Sequence, residues 1–191
     1  MTSHTEFGPK AAFTAMERGT AQDWALIDAH TTDLAAGQAD RVLGWLEAMD
    51  GPSPYQVSRL EHSLQSATRA EADGAELEMI VAALVHDVGD EISPHNHSEV
   101  GAAIIRPYVS DRTHWIVKHH GLFQGYYWMH HYGQDRNERD RHHAHEWYDA
   151  CVHFCAEWDQ NCFDPSFVSA PLSYFEPLVR DVFARPPHNH V

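Results

Sequence analysis

The chain has 191 residues, of which 43% are hydrophobic, including 6 Trp, 7 Tyr and 8 Phe. That is enough apolar material for the core of one ordinary domain, and it excludes the composition that keeps a chain disordered. Against 28 Asp and Glu stand 13 Lys and Arg, a formal net charge of -15, the wrong sign for a partner made of phosphate backbone or anionic lipid.

No stretch approaches the length of a membrane span, and MTSHTEFGPK lacks the charged and apolar regions of a secretory signal. The expected address is cytoplasmic, with no nucleic acid, membrane or protein partner implied. The expected organisation is a single domain over residues 10–186, with loose termini at 1–9 and 187–191.

Helical punctuation recurs along the chain. Thr20 followed by Asp23 can cap a helix carrying Trp24, Leu26 and Ile27, and residues 38–49 continue in helical period until Gly51. Ser53, Pro54 and Gln56 supply a capping hydroxyl, a proline at the first helical position and an amide, predicting a helix from there to about Asp73, with Gly74 as its stop. Residues 76–88 are nearly continuous apolar sequence before His86-Asp87, a helix buried on most of its circumference. Asn96 with Glu99 opens another that ends before Pro107, and Ser110 caps one running to His120 and stopped by Gly121. An aromatic helix over 122–132, a long one over about 137–158 and a last one over 173–184 complete the count. Strand-like alternation is missing, so the fold class is all-α.

Seventeen His in a chain poor in Lys prompt a search for metal-ligand spacing. Cys151, Cys155 and Cys162 are odd in number and form no C-x-x-C, and read as small buried thiols. His86 and Asp87 are neighbours at a polar helix end, pointing about 100° apart, so they can serve one centre only if it lies against the helix edge. Taken alone the pair reads as an ordinary helix cap, and only its context points to a ligand site. Upstream stands His62, and downstream come His97, His119 and His120, and Asp159, giving the order H…HD…H…H…D with the ligands spread over separate helices.

That signature, with LEHSLQSAT, AALVHDVGD, NHSEVGAA, a His-Gly and a late Asp, resembles the HD-domain superfamily. Within it, the chain is similar to the mixed-valent di-iron oxygenases, the branch holding myo-inositol oxygenase and the 1-hydroxyphosphonate dioxygenases. The resemblance spans about residues 55–159. It implies a helical bundle around a dinuclear site in which His62, His86, Asp87 and Asp159 hold one iron, while Asp87 bridges to a second held by His97 and His120. His120 is preferred to His119 because Gly121 follows it, as the family pattern requires. The implied cofactors are two Fe ions, Fe(II) and Fe(III), with O2 as co-substrate. The implied reaction breaks the carbon-phosphorus bond of a small organophosphonate. The first substrate expected is (R)-1-hydroxy-2-(trimethylammonio)ethylphosphonate, giving glycine betaine and phosphate; the second is 2-amino-1-hydroxyethylphosphonate, giving glycine. The alternative is a metal-dependent phosphohydrolase acting on a phosphate ester.

A two-metal reading also has a chemical basis. An ionised Asp has two acceptor oxygens and can span two cations, and four imidazoles with two carboxylates leave the cluster positive, which favours an anionic substrate. In the phosphonate-cleaving relatives a Tyr and a Glu three residues apart gate one iron. Pro52 and Tyr55 stand in those places here, so Tyr55 is the candidate catalytic residue beside Asp87, in an altered gate. Gln124 stands where a relative has Lys. Arg59, one turn before His62, is the candidate phosphonate clamp, and Asp90 and Lys118, which also sit beside proposed ligands, are candidates to support those ligands or to contact the substrate. Tyr126 and Tyr127, with Trp128 and help from Trp115 and Trp158, form either a core stripe or a cage for a quaternary ammonium. Residues 134–147 read as a solvated helix start, from which His142, His143 or His145 can reach the pocket mouth. His95, in a polar loop, reads as solvent-exposed.

Overall fold

A computed structural model describes residues 8–188, so only parts of the expected loose ends 1–9 and 187–191 can be placed. Among the described residues every regular element is helical, as the sequence predicts, and no helix is long and apolar enough to cross a membrane.

The described residues group into two compact units, one up to Gln38 and one from Ala39 onward. The first carries helix α1 (Ala21–Ala36), opened by the expected device: the Thr20 hydroxyl accepts from Asp23 N while the Asp23 carboxylate accepts from Thr20 N. Asp23 also accepts from Ala12 N, and Phe13 lies against Trp24 with ring centroids 5.4 Å apart.

Helix α2 (Gln38–Ala48) leads into the second unit, followed by α3 (Arg59–Ala72), α4 (Leu77–Val85), α5 (His97–Ile105) and α6 (Asp111–Trp128). Then come α7 (Tyr148–His153), which continues as a π-helix over Phe154–Asp159, and α8 (Leu172–Phe183). Helix α4 is the axis of this unit. Its residues from Met79 to Val85 are all buried, and it packs against α3, α6 and α8. Gly74, at φ 78°, makes the left-handed turn that lets α3 reverse into α4.

Four boundaries differ from the expected ones. Helix α3 begins at Arg59, where Ser58 Oγ accepts from Glu61 N; Ser53 instead closes a local turn by accepting from Tyr55 N. Gly121 does not stop α6, because burial of His120, Phe123 and Gly125 carries the helix through to Trp128 and absorbs the first part of the expected aromatic helix. His86 closes α4, and the chain then tightens into a 3-10 turn over Val88–Glu91. The expected long helix exists only from Tyr148 onward. Before it, His145 is stacked on Trp115 at 4.1 Å and the Tyr148 hydroxyl is tied to Asp140, and residues 138–147 form a short 3-10 helix (Glu138–His142) followed by turns.

Glu78 ties three segments together. Its carboxylate accepts from the backbone N–H and hydroxyl of Ser110, from Thr113 Oγ1 at 2.7 Å and from Arg185 Nη1 at 3.1 Å, and Arg185 also reaches the Tyr108 carbonyl. Burial works to raise the Glu78 pKa, but the bonds from Ser110, Thr113 and Arg185 outweigh it and hold it below the usual value. Glu78→Ala should therefore cost about 1–2 kcal/mol of stability at neutral pH, because the buried Thr113 and the more exposed Ser110 and Arg185 lose a charged acceptor. A folded pKa below the unfolded one means that this stability is fully present above the ordinary carboxylate range and disappears as pH falls through the lowered folded value. Denaturant unfolding of wild type and Glu78→Ala from pH 7 down to pH 3 checks both points; a stability gap that fails to narrow in acid would refute the charge-based account.

Candidate metal centre

The six side chains of the H…HD…H…H…D order converge. His62 comes from the middle of α3, His86 from the end of α4, Asp87 from the residue after it, His97 from the start of α5, His120 from α6 and Asp159 from the last π-helical position. A π-turn is rare inside a helix and often marks a functional position. Here it ends on the carboxylate that faces His62 and His86.

Each histidine is aimed by its own backbone surroundings. The Nδ1 atoms of His62, His86, His97 and His120 face the carbonyls of Cys162, Ala83, Pro94 and Val117 at 3.1, 2.7, 3.2 and 2.6 Å. A carbonyl can only accept, so Nδ1 carries the proton and Nε2 presents a lone pair to the centre. The Nε2 atoms of His62 and His86 then stand 3.2 Å apart, lone pair toward lone pair. Only a cation or a shared proton between them makes that arrangement favourable.

Asp87 divides its oxygens. Oδ2 lies 3.5 Å from Nε2 of both His62 and His86, whereas Oδ1 lies 3.4 Å from His97 Nε2 and 3.2 Å from His120 Nε2. Asp159 Oδ1 is 3.3 Å from His62 Nε2 and 3.7 Å from His86 Nε2, and its Oδ2 is buried with no hydrogen-bond partner. Donors bound at about 2.1 Å around one cation stand roughly 3.0–3.4 Å from their neighbours, so these spacings suit a coordination sphere. His62, His86 and Asp159 form one candidate group, and His86, Asp87 and His120 another. The orphaned Asp159 oxygen and the opposed imidazoles both fit bound cations, with Asp87 placed to face two of them.

The charges agree with this. Burial works against protonation of His62 and His86, but Asp159 and Asp87 outweigh it and raise both pKa values. Burial would also raise Asp87 and Asp159, yet His86 and the other imidazoles hold both well below the usual carboxylate range. A potential that draws a proton onto two buried imidazoles also draws a metal cation. His97 differs: burial dominates and lowers its pKa.

Glycine permits the close approach. A Cβ on Gly89 would lie 2.2 Å from the His97 carbonyl oxygen and 2.8 Å from His97 Cα, and one on Gly101 would lie 2.6 Å from the His86 carbonyl oxygen. The turn after Asp87 therefore lies flat on His97, and α5 lies flush against the His-Asp corner.

The centre opens into a cavity of about 620 Å³. Of the expected site residues outside the ligand set, Tyr55, Arg59, Asp90, Gln124 and Tyr127 line it. Lys118 and Tyr126 do not. Lys118 is on the exposed face of α6, and the Tyr126 ring packs against the guanidinium groups of Arg136 and Arg139, each 3.9 Å from its centroid. The expected aromatic group is likewise redistributed. Trp115 stacks on His119 and His145, Trp158 donates to Asp73, and the rings that reach the cavity with Tyr127 are Tyr55, Trp128, Tyr132 and Phe163. His142 and His145 pack around Trp115, and His143 lies against Tyr148. His119 points its Nδ1 back to the Trp115 carbonyl, whereas His120 faces Asp87, so the Gly121 criterion selects the inward residue.

Phe163 was not expected. It stacks on His62 with centroids 4.5 Å apart and also touches Tyr55; its position four residues after Asp159 was the one hint in the sequence. The three cysteines are buried free thiols, and burial pushes Cys162 up to about 12, so their part is packing.

Compared with models of known protein families, residues 59–157 match the HD domain. The match holds five of the six converging residues and ends two short of Asp159. No curated protein matches the chain.

His97→Ala should bind one metal equivalent fewer than wild type, and Gly89→Ala should do the same without touching a ligand, because its methyl collides with the His97 backbone. Elemental analysis of metal-loaded proteins, with circular dichroism as the folding control, checks this; unchanged stoichiometry in both variants would contradict the placement of His97.

Proposed function

Since the chain belongs to the HD domain family and carries a clustered set of buried His and Asp suited to cations, it is a metal-dependent HD-domain enzyme, and we propose that it is a di-iron, O2-dependent oxygenase cleaving the carbon-phosphorus bond of a 1-hydroxyphosphonate. The preferred substrate is (R)-1-hydroxy-2-(trimethylammonio)ethylphosphonate, followed by 2-amino-1-hydroxyethylphosphonate. The balance closes without an outside reductant. One 1-hydroxyphosphonate and one dioxygen equal one carboxylate, one phosphate and one proton.

The observation that carries this reading over phosphoester hydrolysis is the charge of the cavity wall. Among the described residues that line it, Arg59 is the one Arg or Lys, and its Nη2 is already held by Asp87 and Asp90. A hydrolase acting on a phosphate ester needs cations around the transferring group besides its metals. The rest of the wall is largely aromatic and suits a small substrate with an apolar or cationic end.

When bound, an Fe(II)/Fe(III) pair held by His62, His86, Asp87, His97, His120 and Asp159 supplies the redox capacity that oxygen chemistry requires. The chain does the positioning. Arg59 stands on the cavity wall, where its guanidinium charge can meet a phosphonate oxygen. Phe163, stacked on His62, keeps water from that side of the centre. Tyr127, Trp128 and Tyr132 face the substrate's far end, and Tyr55, half-exposed, stands at the mouth.

Protein loaded anaerobically with Fe(II), partly oxidised and given either substrate should release phosphate only when oxygen is admitted, with glycine betaine or glycine as co-product. Phosphate released equally fast without oxygen, or turnover of phosphate esters in place of phosphonates, would replace the oxygenase with a phosphohydrolase. Replacing Trp128 with Leu should raise KM for the trimethylammonio substrate more than for the amine, and initial rates on both substrates measure it.

A further inference from the structure

The four inward-facing histidines are not held alike. His62, His86 and His120 have side chains exposed by 4, 1 and 2%, and a backbone carbonyl within 3.1 Å of each Nδ1. The His97 side chain is 27% exposed, its carbonyl partner on Pro94 is the most distant of the four at 3.2 Å, and it sits in the first turn of α5, beside the 3-10 turn of residues 94–96. By backbone contacts alone, His97 is the loosest of the set.

A second group faces the same nitrogen. Asp90 Oδ1 lies 3.5 Å from His97 Nδ1, while Asp90 Oδ2 is in contact with Arg59 Nη2. Arg59 reaches Asp87 Oδ2 with the same nitrogen at 2.9 Å. The Asp90 carboxylate is therefore fixed at one oxygen by a guanidinium and directed at the imidazole with the other. Gly89 sets its height, since the Val88–Glu91 turn rests on the His97 backbone with no room for a Cβ. Among the converging histidines, His97 is the one given a carboxylate on the nitrogen turned away from the centre.

We infer that Asp90 is a positioning residue for the second cation: through His97 Nδ1 it orients the ring and raises the basicity of Nε2, so that the more exposed half of the centre depends on a side chain that binds no metal itself. A carboxylate facing the outer N–H of a ligating imidazole stabilises the positive charge the ring acquires on binding a cation. Of the two roles the sequence leaves open for Asp90, support of a ligand or contact with substrate, this is the first. It rests on the two-cation reading of the centre and is independent of iron and of oxygen.

Metal-stripped full-length protein titrated with Mn2+, followed by calorimetry and by the EPR signal of free Mn2+, tests it. Wild type should take up two equivalents in two phases, and His97→Ala should keep only the first, which identifies the phases. Asp90→Asn, nearly isosteric, should weaken the second phase about 10- to 100-fold and leave the first within about threefold. Glu91→Gln, which removes an exposed charge one residue away, should change neither. Equal weakening of both phases by Asp90→Asn would reduce Asp90 to a general negative charge, and an unchanged second phase would mean that Pro94 alone holds His97; either overturns the inference. Fewer than two equivalents in wild type would instead remove the two-cation reading on which it stands.

Discussion

The structure depends on one carboxylate placed where neither of its oxygens can be satisfied alone. Asp87 is buried and points one oxygen at His62 and His86 and the other at His97 and His120. Burying a carboxylate is costly unless opposite charge or good donors surround it. With the imidazole protons turned outward to backbone carbonyls, the inward side of the cluster has lone pairs and carboxylate oxygens but few donors. Arg59 offsets part of this from the cavity side. The rest calls for cations, and the outward Nδ1 bonds commit the site to them.

Holding that arrangement shapes the helices around it. The apolar α4 can be buried from Met79 to Val85 because the polar residues fall at its two ends, Glu78 in its first turn and His86 and Asp87 just past its last, each met by neighbouring segments. Those neighbours must come close, and Gly89 and Gly101 remove the side chains that would keep them apart. On the opposite side the π-turn changes the helical phase just before Asp159, and Gln160 N bonds back five residues to the Cys155 carbonyl. The stability of a regular helix is given up there at the position where a carboxylate must meet His62 and His86.

Much of this could be read from the sequence wherever one residue type had one local task. Thr20 with Asp23, Ser110 and Gly74 act as their chemistry dictates, and the ligand order needed only residue identity and chain order to be seen. Signals with two possible owners misled. Ser53 and Ser58 are both good caps, and only the packing of α3 selects the second. Gly121 reads as a helix stop, but a Cβ there would come within 2.5 Å of Ser98 Oγ, so the residue serves packing and the helix runs on. Tyr126 and Tyr127 are indistinguishable neighbours in sequence, and the helical phase sends one into the cavity and the other onto two arginines. Phe163 and the π-turn carried little local signal, because both follow from where the chain must go after Asp159.

The charge of the whole molecule bears on what such a centre can select. At a net charge of -15 the surface repels anions at long range, but at physiological salt that repulsion fades over about 8 Å. On the proposed reading a phosphonate would therefore not be steered in from a distance. Its binding would be decided inside the cavity, where bound cations and Arg59 would act across a short gap. A polyanion such as a nucleotide would meet a single wall cation, Arg59, on a protein of the same sign of charge. A zwitterion with one compact anionic end and a cationic far end would place the first at the centre and the second against aromatic faces under a negative surface, so the same acidic surface that disfavours nucleotides favours that class of substrate.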